Sequence, residues 1–567
     1  MTSGIASIAP FEIVRWNAID LLALAFPVAL CVAHGQGLLV FGSYTPRLAL
    51  LLAAGVVGLV ALLDLVRRGD STARVAAVVT AWIVVAAVFS GEPLLALKGT
   101  VGRESSALIM VAALGVWALG RRVSVSASRA MPAAVLIGVG INSIVGIAQI
   151  VFDIDTGVFA GQFDRATGLT TNPVYFGGLM AAGAAMAAGA RSWSFTGRLA
   201  ATLVFGLAAN LSGSRVAVAV GLVAVALTIV GETSSTRRRQ VLAPVAFFAG
   251  VLLASVVTAT SSGARSTTER LAEGQGGGGR LQVWKYGLSA IGDRPFFGWG
   301  FGRFRAATQG RYSAEFVANH ASDDVRQAWF DAHNVVLGVA VAVGLVGLVL
   351  FVWFALSAGT RMRGPLVFFV VALVGTWLLQ PPGLVTLPLV MFLAGVAVPG
   401  AEMPERIERI PRRYAPALLA GLIIAGWLTL GDLLLDAAAD DIDAAAMEDA
   451  AVLFPRDAVV ADLVAQAWFV KEEDDESLRP HVREWSRRAI DNEPDRPYLW
   501  RRQAERLMTF GEYDDARDAL DAALELEPWH LQSWELMRFL ALIVDDEELL
   551  GVAESKLCAL EVQLDAC

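Results

Sequence analysis

Long apolar stretches recur through the first three quarters of the chain and are separated by short polar segments. A helix needs about 20 apolar residues to cross a bilayer, and within lipid a helix satisfies its own backbone hydrogen bonds. The pattern therefore predicts an all-α fold, a polytopic transmembrane helical bundle with 12–13 spans. The candidate spans lie near residues 17–34, 47–66, 74–90, 105–120, 131–152, 173–190, 197–211, 214–231, 240–260, 332–357, 364–380, 383–399 and 414–435.

Composition agrees with this pattern and divides the chain in two. The 567 residues are 56% hydrophobic and 17% charged, with a mean hydropathy of +0.57, which excludes a soluble enzyme or a disordered chain. Residues 436–567 carry 33 acidic and 13 basic side chains. We therefore predict a transmembrane body, residues 1–435, and a polar, acidic tail, residues 436–567. Because the polar part is acidic, we expect no nucleic-acid partner.

The cysteines and the N-terminus add little. Cys31 lies in an apolar run, and Cys558 and Cys567 lie near the end of the chain. With no CxxC pair, we expect no disulfide framework. The N-terminus lacks a short apolar run followed by a small-residue cleavage site, which predicts an uncleaved start.

Arginines concentrate in alternate loops between the predicted spans. Because such loops stay on the cytoplasmic side, the 17 arginines in six loops predict a cytoplasmic N-terminus. Residues 152–172, 261–331 and 436–567 are then external. The arginines are Arg67, Arg68, Arg74, Arg121, Arg122, Arg129, Arg191, Arg198, Arg237, Arg238, Arg239, Arg361, Arg363, Arg406, Arg409, Arg412 and Arg413.

The large external loop, residues 261–331, carries the first candidate chemistry. Helical spacing predicts an amphipathic helix on the membrane surface, with its apolar positions at Leu281, Trp284, Leu288 and Ile291. Arg280 opens this helix, whose N-terminus also favours anions. The glycine run at 274–279 predicts a flexible hinge and is no P-loop, because the Lys-Ser/Thr pair is missing.

Two further segments have a structural and a functional interpretation each. Gly298, Gly300 and Gly302 alternate with aromatic residues after Pro295, which fits either a structural re-entrant turn or a ligand loop. Arg215 follows a polar turn between two spans. It either snorkels to the interface or faces an anionic group at the outer leaflet.

His333 lies where the large loop enters the next span, between Asp331 and Asn334. A single histidine usually packs or caps a helix, but this one shares the external side with Arg215 and Arg280, which makes it a candidate for chemistry. A metal site is the lesser alternative, because the spacing of the nearby acidic and histidine residues matches no metal motif. Those residues are His320, Asp323, Asp324 and Asp331.

The tail contains a repeat of 34 residues. Glu493-Pro494 recurs as Glu527-Pro528, and Trp500 recurs as Trp534. The small and large residues between them, from Gly511 to Ala523, are similar to the tetratricopeptide pattern of two interlocking helices. Such repeats bind peptides or partner proteins on a concave face, whereas the alternative is a helical spacer.

Several motifs together resemble the O-antigen ligase and O-antigen polymerase superfamily of bacterial membrane glycosyltransferases. The sharpest match is His333-Asn334, a nine-residue gap, and Gly344-Leu345-Val346-Gly347. The resemblance covers about residues 100–400 and leaves the tail outside. Its supporting matches are Arg165-Ala166-Thr167-Gly168, Asn172-Pro173, Ser214-Arg215, Arg280 with Trp284, and Arg294-Pro295 before Gly298, Gly300 and Gly302.

The resemblance implies metal-independent transfer of a glycan from a polyprenyl-diphosphate-linked donor, at the outer face of the bacterial cytoplasmic membrane, with no cofactor. It implies that Arg280 and Arg215 hold the donor diphosphate and that His333 acts as general base on the acceptor hydroxyl or positions it. Arg165 is a further candidate for donor contacts. The remaining matched residues, Asn334, Asn172, Gly298, Gly300 and Gly302, are expected to support the site.

Elementary chemistry agrees with these roles. A diphosphate leaving group needs its growing charge neutralised, and arginine forks do this without a metal. Histidine, with an ordinary pKa of about 6.5, can accept a hydroxyl proton near neutral pH.

Other functions stay open at this point. A transporter or flippase of lipid-linked glycans would be expected to have charges deep in its spans or paired broken helices, which the sequence does not clearly contain. A membrane anchor for an external interaction module would need far fewer spans. Ligase and polymerase share the donor and differ in whether the acceptor is a lipid, a protein or a glycan.

Overall fold

A computed structural model of the chain describes residues 18–35, 38–102, 104–154, 165–170, 172–230, 240–260, 278–320, 329–399, 412–473, 475–560 and 567. Outside these residues lie most of the predicted glycine hinge, Asp323 and Asp324, and several loop arginines, namely Arg237, Arg238, Arg239, Arg406 and Arg409. The described residues form α-helices and short 3-10 turns with no strand, which confirms the predicted all-α fold.

Seventeen helices in the described residues belong to the transmembrane body and its loops. They are α1 Ala18–Val32, α2 Tyr44–Arg67, α3 Ser71–Val88, α4 Pro93–Lys98, α5 Ala107–Gly120, α6 Val125–Phe152, α7 Pro173–Gly189, α8 Phe195–Leu211, α9 Arg215–Leu227, α10 Leu242–Thr260, α11 Gly278–Asp293, α12 Phe304–Thr308, α13 Ala314–His320, α14 Val335–Gly359, α15 Leu366–Thr376, α16 Thr386–Ala397 and α17 Ala415–Asp440.

Each predicted span coincides with one of these helices. Six are long and apolar enough to cross a membrane, and seven are shorter apolar helices. Small residues let them approach closely: a Cβ on Gly58 of α2 would overlap the Gly115 carbonyl of α5. The chain is thus a polytopic helical membrane protein.

One long span, α14, is broken within its first half. Gly344 has φ 70° and ψ −179°, a conformation that glycine adopts without a steric penalty. The segment Pro295–Gly300 fills the break, with Trp299 N donating to Val341 O and Gly300 N donating to Ala342 O, each over 2.8 Å. The sequence analysis did not anticipate this single break, which the Gly-x-x-Gly motif marks in α14.

The tail forms seven helices over its described residues. Three successive pairs pack together, α19 with α20, α21 with α22, and α23 with α24. Their bounds are α18 Ala444–Ala451, α19 Ala458–Glu472, α20 Arg479–Asn492, α21 Pro497–Thr509, α22 Tyr513–Leu526, α23 Leu531–Val544 and α24 Glu547–Ala559.

The 34-residue repeat has a structural counterpart. Trp500 Nε1 donates to the Pro494 carbonyl over 2.8 Å, and Trp534 Nε1 donates to the Pro528 carbonyl over 2.9 Å. The two Glu-Pro turns are therefore equivalent. Whether the pairs are tetratricopeptide repeats stays a prediction.

The tail packs directly on the transmembrane body. Arg305 of α12 pairs with Glu527 over 3.1 Å, and the two side chains are 3% and 1% exposed. Arg303 Nη1 donates to Asp495 Oδ1 over 3.0 Å. Apolar side chains from both bodies share one core, including Phe304 and Trp534.

A disulfide joins Cys558 and Cys567, with their Cα atoms 5.7 Å apart. The sequence-based expectation of no disulfide framework is therefore wrong for this pair. The nine-residue separation matches no recognisable motif, so the sequence alone does not pair the two cysteines.

Candidate functional site

His333 lies at the junction between the large loop and α14. Its φ of 47° is unusual for a residue with a Cβ. Asn334 then caps α14, since its side chain accepts from Leu337 N over 3.0 Å and donates to Leu378 O over 3.0 Å. Because Asn334 is the cap, the capping interpretation of His333 is wrong.

Asp331 fixes the orientation of His333. Asp331 Oδ1 lies 2.7 Å from His333 Nδ1 and accepts from the His333 backbone N–H over 2.6 Å. The Trp329 ring packs against the imidazole, with centroids 4.7 Å apart. Both side chains are about one third exposed, 34% for His333 and 37% for Asp331, so the pair is accessible to a substrate.

Arg280 lies near the start of α11, one helical turn before Trp284. Burial lowers the pKa of its guanidinium, and the charge of Asp331 partly restores it. Trp284 of the same helix donates to the Ala332 carbonyl over 2.9 Å. Helix α11 is thereby tied to the segment that presents His333.

The predicted amphipathic helix forms as α11, but its faces differ in part from the prediction. Val283, Gly287 and Ala290 pack inward, whereas Leu281 and Leu288 are each 62% exposed. Helix α11 therefore packs Val283, Gly287 and Ala290 against the protein, and Leu281 and Leu288 face outward.

Arg165 contacts a second turn, the one that leads into Arg215. Arg165 Nε donates to the Ser212 carbonyl over 2.7 Å, and Arg215 is the first residue of α9, two residues after Gly213. A Cβ on Gly213 would contact the Arg165 side chain. The two arginines predicted to contact the donor therefore belong to one turn.

This turn lies at the same end of the bundle as His333. Gly177 of α7 approaches Ser212, and Gly178 approaches Gln380 and Thr376. The segment after Thr376 in turn contacts the His333 region, because Val335 N donates to Trp377 O over 2.8 Å. Helix α7 and the end of α15 therefore link the turn before Arg215 to the segment that presents His333.

The remaining supporting residues, Asn172 and the three glycines, shape the local backbone. Asn172 caps α7, its side chain accepting from Val174 N over 2.8 Å. Gly298, Gly300 and Gly302 all have positive φ, and a Cβ at Gly298 would overlap the Val341 and Ala342 carbonyls. These contacts fit the structural interpretation of the three glycines, and the ligand-loop interpretation stays a prediction.

The sequence analysis missed a polar cavity beside Asp331. Its volume is about 670 Å³, and Arg47, Glu104, Tyr175 and Asp331 line it. Burial raises the pKa of the Glu104 carboxyl, which a hydrogen bond from Tyr175 and the charge of Arg47 partly offset. The polar segment between α4 and α5, which contains Glu104, was the available signal.

Among the described residues, no group of three or more histidine, cysteine and acidic side chains could hold a metal ion. Asp331, one member of the alternative metal cluster of the sequence analysis, contacts His333. Asp323 and Asp324 of that cluster lie outside the described residues.

Comparison with known proteins identifies part of the body. Residues 199–352 match the family model described as O-antigen ligase, which confirms the resemblance drawn from the motifs. The matched segment contains Arg215, Arg280 and His333. No curated protein matches the chain.

Proposed function

We propose, from the O-antigen ligase match of residues 199–352, that this membrane protein transfers a glycan from a polyprenyl-diphosphate-linked donor to an acceptor hydroxyl. The observation that carries the proposal is the accessible Asp331–His333 pair, beside which Trp284 anchors the helix that bears Arg280. Arg280, Asp331 and His333 all lie within the matched segment. The pair is solvent-accessible, as group transfer requires.

The proposed step is a direct displacement. The acceptor hydroxyl oxygen attacks the anomeric carbon, a glycosidic bond forms, and the bond from that carbon to the diphosphate oxygen breaks. Asp331 beside Nδ1 favours a proton there and leaves the Nε2 lone pair of His333 to take the hydroxyl proton. Attack opposite the leaving group inverts the anomeric configuration.

The arginines supply the complementary charge. The leaving diphosphate gains negative charge, which a guanidinium stabilises with two parallel hydrogen bonds. Arg280 lies on the helix that Trp284 ties to Ala332, and Arg165 donates to the Ser212 carbonyl in the turn that leads into Arg215. We assign donor diphosphate binding to these three.

We further propose that this end of the bundle faces outward and the arginine-rich loops face the cytoplasm. The Cys558–Cys567 disulfide supports an external tail, since disulfides persist in oxidising compartments. The tail packs on the same loops that carry Arg303 and Arg305, so the tail and site share one side.

A transporter of lipid-linked glycans is the rival function. Transporters use broken helices to bind substrates or ions through exposed backbone groups. At the break in α14, the Val341 and Ala342 carbonyls instead accept from Trp299 and Gly300. The break thus positions a loop, which favours the transferase.

Reconstitution tests the proposal. Purified protein in proteoliposomes receives a polyprenyl-diphosphate oligosaccharide and a mixed acceptor pool that includes the native acceptor, with and without EDTA. We expect EDTA-resistant product from the wild type and none from His333→Ala, which should still insert and bind donor. The labelled acceptor separates ligase from polymerase.

Two results would contradict the proposal. Full activity of His333→Ala would remove the assigned role of His333. Donor binding or flipping by the wild type without a new glycosidic bond would favour the transporter.

A further inference from the structure

We propose that the cavity beside Asp331 is a binding site for a neutral sugar unit of the glycan substrate, built jointly by the transmembrane body and the tail. This inference rests on the proposed transferase function and names a substrate-recognition site for it. The cavity volume of about 670 Å³ suits a small-molecule site.

Both bodies contribute to the cavity wall. Arg47 of α2, Glu104 before α5 and Asp331 belong to the body, whereas Val459 and Arg496 belong to the tail. The tail is held there by a hydrogen bond from Val101 N to Asp457 Oδ2, 2.9 Å long. The tail thus forms part of the site.

The cavity contains buried polar atoms that lack partners among the described residues. These atoms are Arg47 Nε, Arg496 Nε and Glu104 Oε2. Arg47 is only 2% exposed, and its other guanidinium nitrogens donate to the Leu169 and Thr170 carbonyls. Such buried groups are costly unless a ligand or water satisfies them.

The combination of donors and acceptors selects the ligand class. A guanidinium N–H only donates and a carboxylate only accepts, whereas a hydroxyl does both. A phosphate or carboxylate ligand would satisfy the arginines but has no donor to offer the unpartnered Glu104 Oε2. An ammonium group would satisfy the carboxyl groups but would be repelled by Arg47 and Arg496. Neutral hydroxyl-bearing sugars satisfy both sets of groups.

Apolar surfaces complete the match to a sugar ring. Phe41, Phe330 and Pro381 also line the cavity, and such surfaces can cover the C–H face of a ring while hydroxyl groups reach the polar atoms. Asp331 both lines the cavity and contacts His333. A sugar in the cavity is therefore adjacent to the proposed base.

Binding in the absence of donor tests the site. Full-length protein in lipid nanodiscs is titrated with a panel of neutral trisaccharides and with the same trisaccharides carrying one phosphate. We expect a neutral trisaccharide to bind, and we expect Glu104→Gln and Val459→Trp each to weaken its binding about tenfold or more. Val452→Trp, at an exposed tail position outside the cavity, is the matched control and should bind as the wild type does.

The outcomes separate this inference from the proposed function. Tighter binding of the phosphorylated sugars, unchanged binding in both variants, or no binding by any panel member would overturn the sugar site. Sugar binding by the wild type without formation of a glycosidic bond in the reconstituted assay would instead count against the transferase. In transfer assays, a raised acceptor KM in the variants assigns the sugar to the acceptor, and a raised donor KM assigns it to the donor glycan.

Discussion

At the scale of single residues, the site depends on how Asp331 holds His333. The carboxylate contacts both Nδ1 and the backbone N–H of the histidine, and the backbone at His333 is in the left-handed region. Strained backbone at a polar, accessible position is typical of functional sites. The Asp331 carboxylate thus contacts both the imidazole and the backbone of His333.

Asp331→Asn should lower kcat while donor affinity is retained. The amide keeps the size of the side chain but cannot stabilise the imidazolium that forms when His333 takes a proton. We expect a loss of about 10²-fold, the lower end of general-base contributions, measured as transfer at saturating donor and acceptor. Asp293→Asn, in an exposed pair with Arg311 on the same loop, is the control. Equal activity of Asp331→Asn and wild type would remove Asp331 from the mechanism.

At the scale of elements, the break in α14 decides where the loop before it lies. The helix stops its regular hydrogen bonding at Gly344, and the Pro295–Gly300 segment supplies the missing partners. Leu345 N also donates to the Pro295 carbonyl over 2.8 Å. One glycine therefore couples the span that begins after His333 to the loop that follows Arg280.

Gly344→Ala should destabilise the protein. An alanine in this conformation, which essentially only glycine adopts, costs about 1–3 kcal/mol, and its Cβ would also overlap the Phe296 carbonyl oxygen. We expect a lower Tm in detergent, followed by tryptophan fluorescence because Trp299 lies in the docked loop. Gly338→Ala, in the same helix with no atom near the added Cβ, should leave the Tm unchanged or slightly higher. A wild-type Tm for Gly344→Ala would mean that the loop tolerates displacement.

At the scale of the whole molecule, the tail is joined to the catalytic loop by buried charges and a shared core. Arg305 and Glu527 are almost fully buried, and Glu527 belongs to one of the two repeated Glu-Pro turns. The first repeat uses Glu493, which accepts from Thr100 over 3.2 Å. The repeat therefore places equivalent carboxylates against the body at two points.

Arg305→Met should loosen the tail. Removing one partner of a buried pair leaves an uncompensated charge and costs about 3–5 kcal/mol. We expect a lower Tm and faster proteolytic release of the tail, and we expect the double variant Arg305→Met/Glu527→Leu to recover part of the loss. Arg517→Met, in the more exposed pair with Asp546, should cost at most about 1 kcal/mol. Unchanged release in Arg305→Met would show that the apolar core alone holds the tail.

Hydrophobic patterning by itself determined the thirteen apolar helices, because lipid leaves a long apolar segment no alternative to a helix. Short motifs likewise singled out His333, Arg280 and Arg215. Tertiary structure decided what these residues contact. The contact between Asp331 and His333 depends on the positive φ at His333. The break in α14 depends on the distant segment Pro295–Gly300. The cavity with Arg47, Glu104 and Arg496 joins segments up to 449 positions apart, which no local periodicity encodes.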